Sequence, residues 1–337
     1  MEFSKSLEEL NINSKVVLDS DICDGYPSRK ISRWFSSDKK FKQIVNDFKP
    51  DIILVDRQKH FAQTAVNSDI PVLVHLRGDF WSEIKWAKET IYKGYPKNKI
   101  INKWEEIGNR CFQNANMILP ICKFLENRVK EEVGNAKTSV MYQGINPSNW
   151  YKMNGKKLKH PCVGILQGAT IWGKTKEMLI LPEILRANPE ITFYWVGDGP
   201  YREKITSVLD KFENFIWLGS MNYPEEVRSF LSEIDVYCLI SGMDMSPLTL
   251  QEAQLMKKPV IATKVGGIPE LMKNNETGYL IEKGDSKEWI NKIRLLINDQ
   301  KKMDKMGVLG RKFIEENFSW NVIASKFVQD LKNNDLM

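Results

Sequence analysis

Short runs of β-branched and aromatic residues alternate along this chain with longer segments of helical period, and that alternation is what most limits the fold. The runs are Lys15–Asp19, Asp51–Val55, Pro71–Leu76, Met117–Leu119 and Ser139–Tyr142, then Cys162–Leu166, Ile191–Val196, Phe215–Leu218, Asp235–Ile240, Pro259–Ala262 and Gly278–Ile281. Between them lie segments such as Lys174–Ala187 and Pro247–Met256, and helix is expected from Ile290 to Leu331. Strand, helix, strand repeated in this way predicts parallel sheets covered by helices on both faces. The polar stretch Asn146–His160, with four lysines, reads as a linker. The chain has 337 residues, and at roughly 100–200 residues per domain two domains are expected. The expectation is therefore an α/β protein of two Rossmann-like, doubly wound domains facing each other across a cleft. They would be residues 1–155 and 156–318, followed by a helix over 319–337. That last helix carries Trp320, Ile323, Phe327 and Leu331 on one apolar face.

Composition removes several classes. With 42% hydrophobic and 27% charged residues the chain is neither disordered nor fibrous. No run approaches the ~18 apolar residues of a membrane span, and the acidic, polar start does not read as a signal peptide. A cytoplasmic location is expected. Cys23, Cys111, Cys122, Cys162 and Cys238 are scattered and form no CxxC pair, and His60, His75 and His160 lie far apart. Reduced thiols and no metal site are therefore expected. The net charge of +6 is concentrated before residue 156 and is too small to mark nucleic acid as the partner. Such an excess is either a solvated face or a preference for an anionic partner.

The chemistry is sought in loops after strands, where doubly wound sheets bind ligands. After the run ending at Ile240, a loop leads to Pro247, which suits the first turn of a helix. Amides at Ser246, Leu248 and Thr249 would then face an anion such as phosphate, with the helix dipole behind them. Asp244 and Glu252, eight apart, flank that cradle and could accept hydrogen bonds from sugar hydroxyls. The alternative is a loop aspartate and a surface glutamate. Gly168-Ala-Thr-Ile-Trp-Gly173-Lys174-Thr175 also fits the phosphate-loop spacing of an NTPase, although Ile171 and Trp172 are bulky for such a loop and no convincing Walker-B acid follows. Both readings make Lys174 a phosphate ligand. Gly197-x-Gly199 is too short for a dinucleotide fingerprint. Phe80–Trp104, with three tryptophans, two tyrosines and six lysines, is either helix packing or a surface facing an acceptor and a membrane.

The same residues resemble a family. Glu252-Ala253, Pro259-Val-Ile-Ala-Thr263, Gly266-Gly-Ile-Pro-Glu270 and Thr277-Gly-Tyr-Leu280 follow, in order, the signature of family 4 retaining glycosyltransferases, which have the two-domain GT-B fold. Val196-Gly197-Asp198-Gly199-Pro200, Leu119–Leu125, Gln143–Asn146 and Phe318-Ser319-Trp320 resemble further family segments, the last being the helix that crosses back to the first domain. The likeness runs from about residue 50 to 335 and is strongest after 160.

The resemblance implies transfer of a sugar from a nucleotide-diphospho-sugar with retained anomeric configuration and no obligatory metal or other cofactor. The acceptor would be a sugar, polysaccharide or lipid-linked hydroxyl, and the last of these would bring contact with the inner face of a membrane. It assigns Glu252 to the ribose, Asp244 to the donor sugar, and Met245, Ser246, Pro247, Leu248 and Gly197 to the donor side. The chain departs from the pattern in three places. Asp244 replaces a glutamate, one methylene shorter. The family's Gly-Arg and Lys-Gly are missing after Val163-Gly-Ile165, so Lys174 is expected to neutralise the diphosphate. Arg77 stands where His-Gly is usual and is expected to act in catalysis by stabilising the diphosphate from across the cleft, with His75 and Asp79 as acceptor-side neighbours and Gly25 in a weak counterpart of the glycine-rich acceptor loop. The alternative for Arg77 and Asp79 is a surface ion pair. Alternatives are the NTPase, or a GT-B protein that binds, hydrolyses or epimerises a nucleotide sugar without transferring it.

Overall fold

The computed structural model describes residues 2–18, 37–155 and 157–337. They fall into two compact units, one of residues 1–143 with 320–337 and the other of residues 144–319.

The first unit holds a three-stranded parallel sheet of β1 (Ile53–Asp56), β2 (Val72–Leu76) and β3 (Met117–Pro120), in the order β1-β2-β3. All of β2 and β3 is buried, which explains their unbroken apolar runs. The closing helix Trp320–Asn333 contributes Ile323, Ala324, Phe327 and Leu331 to a core with Leu7, Leu73, Met117, Leu119 and Met141. Phe3 stacks on both Trp320 and Phe327.

Two expected strands differ. The run Lys15–Asp19 is irregular over its described residues, and Val16 and Leu18 lie exposed. Ser139–Tyr142 runs beside β3, where Ser139 N–H donates to the Ile118 carbonyl and Met141 N–H to the Pro120 carbonyl. Pro120 has no N–H to return, so the ladder stops at one bridge, Ile118 to Thr138.

The second unit is a six-stranded parallel sheet: β4 (Cys162–Leu166), β5 (Thr192–Val196), β6 (Phe215–Trp217), β7 (Val236–Leu239), β8 (Val260–Thr263) and β9 (Gly278–Ile281). Its order is β6-β5-β4-β7-β8-β9. The chain winds outward from β4 to one edge, returns beside β4 as β7, and winds to the other edge. This is the doubly wound order, and the crevice for a ligand opens where the winding reverses, between β4 and β7. These two strands pair Val163 with Val236 and Ile165 with Cys238, which fixes the loops that follow them as neighbours.

Between β4 and β5 the expected single helix is broken into a turn at Trp172–Thr175, a 3-10 segment Lys176–Ile180 and a helix Leu181–Ala187. Pro182, near the start of the last piece, has no N–H to continue a helix from upstream. The final helical stretch is likewise three helices, Ser286–Ile297, Gln300–Phe318 and Trp320–Asn333.

Candidate functional site

The loops after β4 and β7 meet at the switch point. Gly242 N–H donates to the Lys174 carbonyl at 3.0 Å, and Lys174 Nζ lies 3.0 Å from Asp244 Oδ2. Side chains 70 residues apart are thus joined as an ion pair, each largely but not fully buried. Asp244 Oδ1 accepts from the Met245 N–H at 2.9 Å, so the carboxylate spans the loop and the cation.

A second loop holds this one from beneath. Gly267 N–H donates to the Asp244 carbonyl, and a Cβ on Gly266, whose φ is +54°, would lie 2.0 Å from that oxygen. Gly266 after β8 is therefore required by close backbone approach, while Gly267 contributes its N–H. Gly197 serves the same end after β5, where a Cβ would lie 2.0 Å from the Gln167 carbonyl.

Pro247 caps the helix Leu248–Leu255, whose first turn presents Leu248 and Thr249. Met245 and Pro247 are buried, and the Ser246 hydroxyl is buried without a hydrogen-bond partner among the described residues. Thr249 is fixed by the Tyr237 hydroxyl, 2.7 Å from its Oγ1. One turn further on, Glu252 is 2% exposed. Burial pushes its pKa up to about 7, against a hydrogen bond from the Tyr223 hydroxyl that favours the ionised form. Burial, with Glu252 beside it, in turn raises the Tyr223 hydroxyl to about 12.

Sequence reasoning missed Tyr223, which reaches Glu252 from 29 positions away. It also missed Gln167, directly after β4, which is 9% exposed with neither side-chain polar atom partnered among the described residues. A polar side chain in the first loop position after the central strand was the available signal.

The phosphate-loop alternative fails on Thr175. Its hydroxyl, which a bound magnesium ion would need, is completely buried and donates to the Ile171 carbonyl. Trp172 opens a helical turn of only four residues and packs on Tyr201.

In the first unit, Asp56 at the end of β1 faces both His75 Nδ1 (3.4 Å) and Arg77 (3.2 Å), and Arg77 also donates to Gln143 at 2.6 Å. Burial raises the Asp56 pKa, but the His75 hydrogen bond and the Arg77 charge outweigh it and hold the group below the ordinary carboxylate value. His75 is buried, with Nε2 3.1 Å from the Met141 carbonyl. Asp79 is drawn elsewhere. Its oxygens accept from the Ser82 N–H and hydroxyl, capping the helix Phe80–Glu89, and it is 5% exposed. Neither a surface pair with Arg77 nor a free acceptor-side carboxylate describes it. Gly25 lies outside the described residues.

One cluster was hidden by sequence spacing. His160 Nδ1 lies 2.8 Å from Asp235 Oδ2 and 3.6 Å from Cys162 Sγ, and these atoms all lie within 4.8 Å of one another, in reach of a shared metal ion. Asp235 Oδ2 also accepts from the Cys162 N–H, and the pairing ties the start of β4 to that of β7.

Residues 176–313 match the family described as Glycosyl transferases group 1. Over 88 residues, 25% of this chain, the sequence is 40% identical to the capsular polysaccharide biosynthesis glycosyltransferase CapM of Staphylococcus aureus, of which the match covers 23%. The chain spans between 21% and 56% of the length of the curated relatives it matches. Among solved structures, sucrose-phosphate synthase from Thermosynechococcus elongatus superposes with a TM-score of 0.72 at 18% identity, over 92% of this chain and 82% of that one. HepE of Anabaena, solved in complex with UDP-glucose, gives 0.69 at 18% identity over 98% and 88%. At these identities the likeness is one of fold, the α/β GT-B class with parallel sheets.

Proposed function

We propose that this chain, whose residues 176–313 match the glycosyl transferases group 1 family, transfers a sugar from a nucleotide-diphospho-sugar to an acceptor hydroxyl with retained anomeric configuration. The reading is carried by the Lys174–Asp244 pair at the switch point, with buried Glu252 one helical turn behind it.

Glu252 would accept the ribose hydroxyls, since a carboxylate in a dry site is a strong acceptor for two of them. The first amides of the Leu248–Leu255 helix and the Lys174 ammonium would face the diphosphate, and Asp244 the sugar. In the transfer the bond from the anomeric carbon to the leaving phosphate oxygen breaks and a bond to the acceptor oxygen forms on the same face. The acceptor proton passes to the departing phosphate. Lys174 would offset the charge that grows there, so neither a metal nor a protein nucleophile is assigned. The Asp56–His75–Arg77 cluster would serve the acceptor side, a sugar, polysaccharide or lipid-linked hydroxyl. HepE, similar in fold, is solved with UDP-glucose, which supports UDP-sugars as the first donors to test.

The test is a thermal-shift screen against UDP-, GDP-, ADP- and dTDP-sugars, followed by transfer assays with the stabilising donor. Lys174→Ala is expected to reduce turnover by at least ~100-fold while the fold persists, as when a charge-stabilising donor is removed. Near-normal turnover in that variant would refute the assignment. Donor binding without transfer to any acceptor tried would instead favour a binding protein of the same fold.

A further inference from the structure

The Trp- and Lys-rich segment of the first unit forms two helices, Phe80–Glu89 and Lys97–Asn114, joined by a short tip. Their base is ordinary packing: Phe80 and Trp81 lie against Phe112, and Tyr92 at the tip stacks on Trp104. The tip itself is not consumed by that packing. Ile91 is 54% exposed and Tyr95 77%.

Residues 90–104 carry Lys93, Lys97, Lys99 and Lys103 and no acid. The neighbouring acids are Glu83 and Glu89 on the first helix and Glu105 and Glu106 on the second. Glu105 is taken by Lys88 and Glu106 by Lys103. Lys99 Nζ sits 5.0 Å over the Tyr95 ring, so cation and aromatic present one surface. The tip is also built to hold its shape: Tyr92 N–H donates to the Ala87 carbonyl and the Thr90 hydroxyl to the Trp86 carbonyl.

We propose that this tip docks on an anionic phospholipid bilayer, Ile91 and Tyr95 entering the interface while Lys93, Lys97 and Lys99 lie among the headgroups. Two large exposed apolar side chains, one under the Lys99 ammonium and with exposed Lys93 and Lys97 beside them in the chain, match that boundary, where tyrosine is favoured and long cationic stems reach back to phosphate.

The test is flotation of the full chain with phosphatidylcholine vesicles, with and without phosphatidylglycerol, at low and high salt. Because no sugar is transferred, its outcome is independent of the proposed activity. Binding is expected only with phosphatidylglycerol and should weaken with salt. Replacing Lys93, Lys97 and Lys99 together by glutamine should weaken partition about a hundredfold, at about 0.7 decade per charge. Ile91→Ser with Tyr95→Ser should also weaken it, with thermal melting unchanged. Equal binding to both vesicle types, no binding by the unaltered chain, or full binding by the folded lysine variant would overturn the proposal.

Discussion

Glu252 combines a buried carboxyl with a pKa of about 7, and the two have opposite consequences for stability and for binding. Its folded pKa lies above the ordinary 4.5, so the stability it confers is present in full below about pH 4.5 and is lost as pH rises through about 7. Glu252→Gln should flatten that part of the stability profile and be the more stable protein above neutrality, by on the order of 1–3 kcal/mol. Denaturant midpoints of the two proteins across the pH range would check it. Donor affinity should move the other way: the ionised group accepts two hydroxyls, so the dissociation constant should fall from about pH 6 to 8 in the parent and stay level in the variant. A pH-independent constant in the parent would remove Glu252 from the ribose. Gln167 invites a related experiment. A buried amide without partners costs about 1–3 kcal/mol per unmade group. Gln167→Leu is expected to raise the melting temperature while weakening donor binding, the exchange of stability for function seen where a polar group waits for its ligand. A higher melting temperature with unchanged donor binding would show the amide to be structural only.

At the scale of elements, the loops after β7 and β8 act as one piece, because Gly266 lets the backbone touch the Asp244 carbonyl. Gly266→Ala should cost at least about 1 kcal/mol, from a side chain at positive φ and from the collision. Since Asp244 must then shift, donor affinity should drop even though no donor-facing side chain was altered. Calorimetric titration with the donor found by the thermal-shift screen is the check. The same loop shows what a sequence can and cannot reveal. β4 and β9 were legible to the residue, as apolar runs bounded by turn residues, and the Asp244-to-Glu252 spacing drew attention to the end of β7, one side of the switch point. The Ser139–Tyr142 run had equal β character but met a proline on its neighbour, a fact of pairing rather than of composition. Asp79 read as chemistry because it sits after a strand, yet Ser82 three positions on makes it a cap. Tyr223 at Glu252 and the His160–Cys162–Asp235 cluster are contacts across the fold that no local period encodes, whereas Gln167 was marked only by its polar character in the first position after β4.

Among the described residues, a hydrophobic core around Leu73, Met117 and Phe327 in the first unit shares no residue with the core around Ile165, Trp195 and Trp289 in the second. Each unit thus buries enough apolar surface to melt as its own cooperative block, and calorimetry should resolve two transitions. Phe327 is 7% exposed and belongs to the first core although it lies ten residues from the chain's end. Phe327→Ala should lower the first unit's transition, with a loss of about 3–5 kcal/mol, and leave the other in place. Donor should do the reverse. A ligand that binds only the folded second unit stabilises it by about 2.7 kcal/mol at a hundred times its dissociation constant, which moves that unit's transition upward and not its partner's. Combining the two perturbations assigns each transition independently, one from a core residue and one from the ligand. If donor instead raised the transition that Phe327→Ala lowers, the nucleotide sugar would be held by the first unit, and the roles given to Lys174, Asp244 and Glu252 would fall together.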